Sequence, residues 1–309
     1  SEIPRPHRRG GRCGSVAVAA LVTATLVAAA AVGTGRSFLF AGGPGDAAAG
    51  KVARTFRSRL QPAVRPPIAR AAAPVLYDMP ISNNGAKVRL LIYKKGLDVD
   101  IKAPSELDGL KSEKFTKISP QGKMPALLCE DGQTALCESQ IILDYLSDKY
   151  ASSGPSFVPS TPEGRAKAAL VARFADLYIV SIQGAMYRGP MDIAVRADQI
   201  REIAQQLDIL ENIFEGPYAV GPEMSTADFA LFPTFVFMTY ILPTHFGWKD
   251  VFAGRPKLRA WWDLMLADAA AKKVFDEVDG ALRKWAENGR WIKVGVEEHV
   301  KDAGYQWAY

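Results

Sequence analysis

The chain has 309 residues, with 38 Lys plus Arg against 33 Asp plus Glu, and is 48% hydrophobic and 23% charged. That balance is globular; it excludes a wholly disordered or collagen-like chain, and at roughly 100–200 residues per domain it leaves room for two domains. Three cysteines are too few for a disulfide scaffold, and three scattered histidines (His7, His245, His299) give no zinc-type spacing, so no metal site is expected.

The net charge of +5 is unevenly spread. Residues 1–74 hold 11 basic side chains and only two acids, Glu2 and Asp46, whereas the remaining 235 residues hold 27 basic and 31 acidic ones. The mildly acidic remainder argues against a nucleic-acid groove in the folded part. In the leading segment, Arg5, Arg8, Arg9 and Arg12 precede an uncharged, alanine-rich run from Gly14 to Gly35, the layout of a secretory signal. Arg36-Ser-Phe-Leu-Phe40 and an acid-poor tract with Lys51, Arg54, Arg57, Arg59, Arg65 and Arg70 then read as a transit peptide. The two in series resemble the bipartite presequence of proteins sent to plastids of secondary origin. Residues 1–74 are accordingly expected to be a disordered or removed presequence, and a plastid the destination. The alternative is a membrane anchor or the secretory pathway, since the run approaches the roughly 20 residues a spanning helix needs. Gly45-Asp-Ala-Ala-Ala-Gly50-Lys51 imitates a phosphate loop, but Val52 stands where a magnesium-binding Ser or Thr is required.

A first folded unit is expected over 75–150. Val75-Leu-Tyr-Asp reads as a buried strand, Pro80-Ile-Ser-Asn-Asn-Gly85 as turn chemistry, and Ala86 to Lys95 as a helix closed by Gly96. Val99 and Ile101 suggest a second strand, and Ser105 to Ile118 is loosely helical. Ala126 to Glu130 and Thr134 to Cys137 form a hairpin through Asp131-Gly132, with Cys129 facing Thr134 and Cys137 facing Ala126 on opposite faces, so that no Cys129–Cys137 disulfide forms. Glu138-Ser139 opens a helix whose apolar face is Ile141, Ile142, Tyr145 and Leu146. The order β-α-β then β-β-α is that of a thioredoxin-like fold.

After a Ser/Pro/Gly-rich linker at 151–161, the pattern over 162–288 is helical throughout. Thr161-Pro162 starts a helix with Leu170, Phe174, Leu177, Tyr178 and Ser181 at spacings of three and four. Ile200, Ile203, Leu207, Leu210 and Ile213 mark a second, ending before Gly216-Pro217. Ser225-Thr-Ala-Asp228 is a capping box ahead of a nearly all-apolar run, Ala227 to Leu242, which reads as a helix buried on all sides, bent by Pro233 and too short at sixteen residues to span a bilayer. Pro256 to Leu264 and Val274 to Leu282 give two more helices, and 289–309 is a tail whose role the pattern leaves open.

Four stretches carry a family resemblance. Phe115-Thr-Lys-Ile-Ser-Pro-Gln-Gly-Lys-Met-Pro-Ala-Leu127 resembles a segment leading into a cis-proline, and Leu136-Cys-Glu-Ser-Gln-Ile-Ile-Leu-Asp-Tyr-Leu146 a glutamate-serine helix start. Ser225-Thr-Ala-Asp-Phe229 resembles the capping box of a buried core helix, and Arg255-Pro-Lys-Leu-Arg-Ala-Trp-Trp262 the start of a seventh helix. In this order and spacing they resemble the cytosolic glutathione transferases over about Val75 to Asn288. The resemblance implies a thioredoxin-like domain followed by an all-helical one, glutathione as co-substrate, a lipophilic electrophile or organic hydroperoxide as second substrate, a homodimer, and a role in detoxification.

Val75-Leu-Tyr-Asp-Met-Pro-Ile-Ser82-Asn-Asn-Gly-Ala-Lys-Val-Arg89 resembles the zeta-like turn without a gap, which implies Ser82 as the hydroxyl donating to the glutathione sulfur. A thiol with pKa near 8.5 reacts only as thiolate, and lowering it by two units needs about 2.7 kcal/mol of preferential stabilisation. An ordinary N-cap serine is the local alternative. Asn84 stands where zeta relatives have Cys, so maleylacetoacetate isomerisation is not implied, and no Cys in the turn supports thiol–disulfide chemistry; Asn84 is a second candidate contact to sulfur, as in nu-like relatives. The resemblance further assigns the Met124 backbone to the cysteinyl amide before a cis Pro125, Ser139 to the γ-glutamyl carboxylate, Glu138 to its ammonium, and Lys123 and Lys111 to the glycyl carboxylate. Met79, Pro80, Phe174, Tyr178, Met186 and Tyr187 are candidates for the electrophile site, expected between the units along the first long helix. A non-catalytic carrier of hydrophobic ligands of tetrapyrrole type and a docking scaffold are the alternatives on the same fold.

Overall fold

Val75–Tyr77 (β1) pairs in parallel with Asp100–Lys102 (β2) and antiparallel with Ala126–Leu128 (β3), which in turn pairs antiparallel with Ala135–Cys137 (β4). The sheet order is β2-β1-β3-β4. This is a computed structural model and describes residues 72–309; the expected signal, transit and phosphate-loop-like stretches lie outside the described residues. Parallel strands need a crossover, and Asn83–Lys95 (α1) supplies it. Gly96 ends α1 at φ 60, donating to the carbonyls of Ile92 and Tyr93 as a left-handed cap should. The loosely helical stretch before β3 resolves into a short 3-10 turn, Pro104–Leu107, and Glu113–Ile118 (α2), which Ser112 caps.

In the β3–β4 hairpin, Cys129 N–H bonds Thr134 O at 2.8 Å, and the Asp131 carboxylate accepts from the backbone of Gln133 and Thr134. Cys137 is paired with Ala126. Cys129 therefore packs into the main core and Cys137 against Tyr77 and Phe115 on the other side of the sheet, and both are free thiols. Ser139–Lys149 (α3) follows. Its buried side is Ile142, Leu143 and Leu146, while Ile141 is 53% exposed. The apolar face is thus rotated from the expected one, because α1, not solvent, meets the Leu143 side.

The helical unit departs from expectation in the same way. Pro162–Phe174 (α4), capped by Thr161, runs on through a wider π-type segment to Val180. It buries Ala168, Val171, Ala172, Ala175 and Ile179, and leaves Leu170, Leu177 and Tyr178 about half exposed. Small residues turned toward Thr226–Phe246 (α6) let two helix backbones approach, which the larger Leu170–Leu177 stripe would prevent. Ile193–Ile213 (α5) buries Ile200, Ile203, Leu207 and Leu210 as expected. Helix α6 has 21 residues rather than sixteen; by length and composition it could cross a membrane, but 72% of its apolar window is buried inside the protein, so here it is the core helix. Pro256–Ala267 (α7) and Ala269–Glu287 (α8) complete the unit, and Arg290–Lys293 (α9) and Val296–Val300 (α10) follow in the tail. The tail is packed: Trp291 and Trp307 are buried, and Trp248 Nε1 donates to Trp307 O at 2.7 Å.

Helices α1, α6 and α8 pack on one another and join the sheet unit to the helical one. Asn83 and Thr234 exchange hydrogen bonds at 3.0 and 3.2 Å, tying the start of α1 to α6. Arg89, buried in α1, binds the Asp78 carboxylate, the carbonyls of Met79 (2.9 Å) and Pro80 (3.0 Å), and Glu277 of α8 (2.9 Å). Burial outweighs Arg89 and pushes the Asp78 carboxyl up from 3.8 to about 6. At the foot of α6, Asp228 is fully buried and accepts from Ala219 N, Ser225 N, Ser225 Oγ and Trp261 Nε1, completing the capping box with Ser225.

Two stability experiments follow from these buried acids. Asp228→Ala orphans four donors, and since each buried unsatisfied group costs roughly 1–3 kcal/mol, urea titration of the folded chain should show a loss of about 3 kcal/mol or more, Asp228→Asn losing less. For Asp78 the folded value lies above the unfolded one, so its contribution to stability is full below pH 3.8 and is lost as pH rises through about 6. The unfolding free energy of Asp78→Asn relative to the unsubstituted protein should therefore rise by about 2 kcal/mol between pH 4 and pH 7, whereas a pH-independent difference would contradict the raised carboxyl.

Candidate active site

Two helices start side by side above the sheet. Ser82 caps α1: its backbone is extended (φ −76, ψ 111) and its Oγ accepts from Gly85 N–H at 3.0 Å. It is 8% exposed, and its hydroxyl also helps to hold down the neighbouring Asp78 carboxyl. Gly85 is required here, because the Asp78 carboxylate occupies the space where a Cβ would stand. Glu138 precedes α3 at φ 67, a left-handed conformation unusual for a non-glycine residue; its side chain makes no capping bond. The sequence signal for a capping glutamate-serine pair is thus realised as strained backbone, with Ser139 buried as the first residue of α3 and Glu138 exposed.

Between the two helix starts lies a cavity of ≈ 330 Å³. It brings together Asn84, Lys123, Met124, Pro125, Glu138 and Ser139, with Ser119 and Cys137 behind them. The Met124–Pro125 bond is cis. Ser119 Oγ donates to Lys123 O at 2.7 Å and accepts from Lys123 N–H at 3.3 Å, which shapes the loop that presents Met124. Lys111 does not line the cavity; its Nζ donates to Gln121 O at 3.2 Å and its chain lies along Gly122, bracing the loop from behind. Ser82 does not line the cavity. Asn84 alone of the turn lines both this cavity and a larger cleft of ≈ 950 Å³ between α3 and α4, where Ile141 and Leu177 are exposed.

A separate cavity of ≈ 520 Å³ lies on the other side of the turn, where Met79, Pro80 and Ile81 face Glu277, Gly280, Ala281, Lys284 and Trp285 of α8. Met79 and Pro80 therefore meet α8 and not the first long helix. Phe174 and Tyr178 instead pack on each other, ring centres 5.3 Å apart, with Tyr178 on the outer side of α4. Met186 is fully buried, and Tyr187 packs behind the cavity wall against Phe237 (5.3 Å) and Trp285 (5.8 Å). The α8 wall was missed from sequence; Gly280 in the middle of a strongly amphipathic helix, at a position open to space, is the signal that could have pointed to it. Among the described residues no cluster of three or more metal-capable side chains occurs.

Chemically, two helix N-termini converge on one cavity, which favours an anion at each, with a lysine at the edge and a carboxylate left free for an amine. Comparison with known proteins identifies the family. Residues 76–155 match the family model for the N-terminal domain of glutathione S-transferases, and residues 193–263 the model for the C-terminal domain. Glutathione S-transferase 3 of Zea mays is 31% identical over 214 residues, 64% of this chain and 91% of that protein. Maleylacetoacetate isomerase of Rattus norvegicus is 32% identical over 53% of this chain and 77% of its own length. Among solved structures, glutathione S-transferase III in its apo form superposes with a TM-score of 0.56 at 28% identity over 66% of this chain and 95% of that one. The transferase URE2P5 of Phanerochaete chrysosporium, at 20% identity, TM-score 0.60, and coverage of 69% of this chain and 98% of that one, shares the fold. A thioredoxin-like unit with an all-helical partner, these site features and matches to both family domains together make the chain a member of the glutathione S-transferase family, and a glutathione transferase.

Proposed function

We propose that the chain binds glutathione in the 330 Å³ cavity and activates its thiol for attack on a lipophilic electrophile, or for reduction of an organic hydroperoxide. The observation that carries this reading is the meeting of the α1 and α3 starts around Met124–Pro125. The N-terminus of α3 with Ser139 suits the γ-glutamyl carboxylate, the free Glu138 carboxylate its ammonium, the Met124 backbone the cysteinyl amide, and Lys123 the glycyl carboxylate. The sulfur then lies at the positive end of α1. Ser82 Oγ, already accepting from Gly85 N–H, keeps its own hydrogen for donation, and a thiolate competes for it with Asp78. Asn84, facing the cavity, adds an amide donor. The electrophile occupies the 520 Å³ cavity, whose Met79, Pro80, Ala281 and Trp285 offer apolar surface.

The same reading covers assembly. Ile141 and Leu177 line the cleft between α3 and α4, and Leu170 and Tyr178 are exposed on the same α4 stretch, an apolar surface suited to a second copy of the chain. The cleft beside it is reached by Asn84, Glu138 and Ser139, so a homodimer formed there would border the glutathione cavity.

Three variants test the proposal on the folded chain. Ser82→Ala should lower turnover with a chloronitrobenzene at least tenfold while glutathione affinity changes less than threefold, and should cost about 1 kcal/mol of stability through the lost cap. Asn84→Ala should lose less; the reverse ranking would assign the sulfur contact to Asn84. Leu177→Glu is expected to convert a dimer to monomers in sedimentation, and an unchanged sedimentation coefficient would remove this face as the dimer surface.

A further inference from the structure

The residues that follow α8 are fastened to the helical unit by an uncommon device. Arg196 of α5 is fully buried and no carboxylate touches it among the described residues. Its guanidinium donates to the carbonyls of Ala185, Arg188 (3.0 Å) and Val294 (3.1 Å), and its Nε donates to His299 Nδ1 at 3.0 Å. A buried cation with neutral partners holds only while every donor is satisfied. His299 must therefore present a bare Nδ1, and a proton there would set two cations against each other at hydrogen-bond distance.

The tail grips the same short segment. Trp291 Nε1 donates to Met186 O at 2.9 Å, and Arg290 Nε to Tyr187 O at 3.1 Å. Gly189 passes so close to Val294 that a Cβ would clash with its carbonyl oxygen. Residues 185–188 are thus held by Arg196 and by the tail together, and Tyr187 in that segment packs on Trp285, the wall of the cavity beside Met79.

We propose that the His299–Arg196 pair is an acid-sensitive latch: protonation of His299 releases the C-terminal segment and loosens the 185–188 stretch that backs the electrophile cavity. The charges facing His299 are Arg196 and Asp192 from α5 and Glu298 from its own helix. Burial and Arg196 prevail over the two acids and hold the imidazole below its ordinary value of 6.5. The docked form thus binds a proton less readily than the released one, so docking is complete above about pH 6.5 and weakens as pH falls below it. A second histidine must be separated from this effect. His245 stacks on Trp291, ring centres 4.1 Å apart, and burial lowers it too, against Glu297.

The functional meaning of the latch rests on the proposed electrophile site, but the following readout does not, so the two can fail separately. Amide hydrogen exchange of the full chain, corrected for intrinsic rates, is compared at pH 7.5 and pH 5.0. In the unsubstituted protein and in His245→Gln, residues 290–300 and 184–188 should exchange at least tenfold faster at pH 5.0, with α6 unchanged. In His299→Gln, whose side-chain oxygen accepts from Arg196 at any pH, the acceleration should vanish. No acceleration in the unsubstituted protein, its persistence in His299→Gln, its loss in His245→Gln, confinement to the tail, or equal acceleration of α6 would each overturn the latch.

Discussion

Arg89 is the interaction on which the site depends. One guanidinium reaches the carboxylate of Asp78, two carbonyls of the turn after β1, and Glu277 of α8, 188 residues away in the chain. The turn that carries Met79, Pro80 and Ser82 is closed by one backbone bond, Ser82 N–H to Met79 O at 2.9 Å, and the rest of its shape is set by the Arg89 bonds and by the Ser82 cap. Because Arg89 itself sits in α1, the helix that the turn opens is also the element that holds the turn closed. Glu277 is further held by the Tyr93 hydroxyl at 2.7 Å, which fixes the α8 side of the same bridge.

The cavity proposed for glutathione is built from short-range features assembled by the sheet. Pairing of β1 with β3 sets the end of α1's turn beside the strand that follows Pro125, and the β3–β4 hairpin returns the chain so that α3 begins next to it. Each helix start brings free backbone N–H groups, and Glu138 tolerates a left-handed backbone at that junction. The strain is local and falls where the Glu138 side chain faces the cavity, which is where a fold can keep it if the neighbouring strands over-determine the position.

Much of this was legible in the sequence, and the failures have one cause. Strand, turn and cap signals depend on a few adjacent residues, so Gly96, Asp131-Gly132, Thr161-Pro162 and the Ser225–Asp228 box all read correctly. Periodicity finds an apolar stripe but not the identity of what it faces. On α4 the larger stripe, Leu170, Leu177 and Tyr178, lies outward and the smaller one, Ala168, Ala172 and Ala175, packs on α6, because close approach of helices favours small side chains. On α3 the same ambiguity left Ile141 outside and Leu143 inside. The surroundings of Met79 and Pro80 were hidden for a related reason: they meet α8, not the first long helix, beside the Arg89–Glu277 bridge, and a pair separated by 188 residues leaves no local pattern.

The two sides of that wall are held from opposite directions. Glu277 at the middle of α8 is tied to the turn after β1, while Trp285 two turns later is backed by Tyr187 and, through it, by Arg196 and the tail. A displacement of α8 at Glu277 therefore pulls on the turn that holds Ser82, whereas the tail bears on the proposed electrophile cavity through Tyr187 and the Trp285 end of α8. Substitutions along α8 should consequently couple to turn residues in double-mutant cycles, whereas tail substitutions should add independently to them. On the proposed reading the sulfur-activating turn and the electrophile wall share Met79 and Pro80 and are tied again through Glu277, whereas the tail reaches that wall through Tyr187 and Trp285.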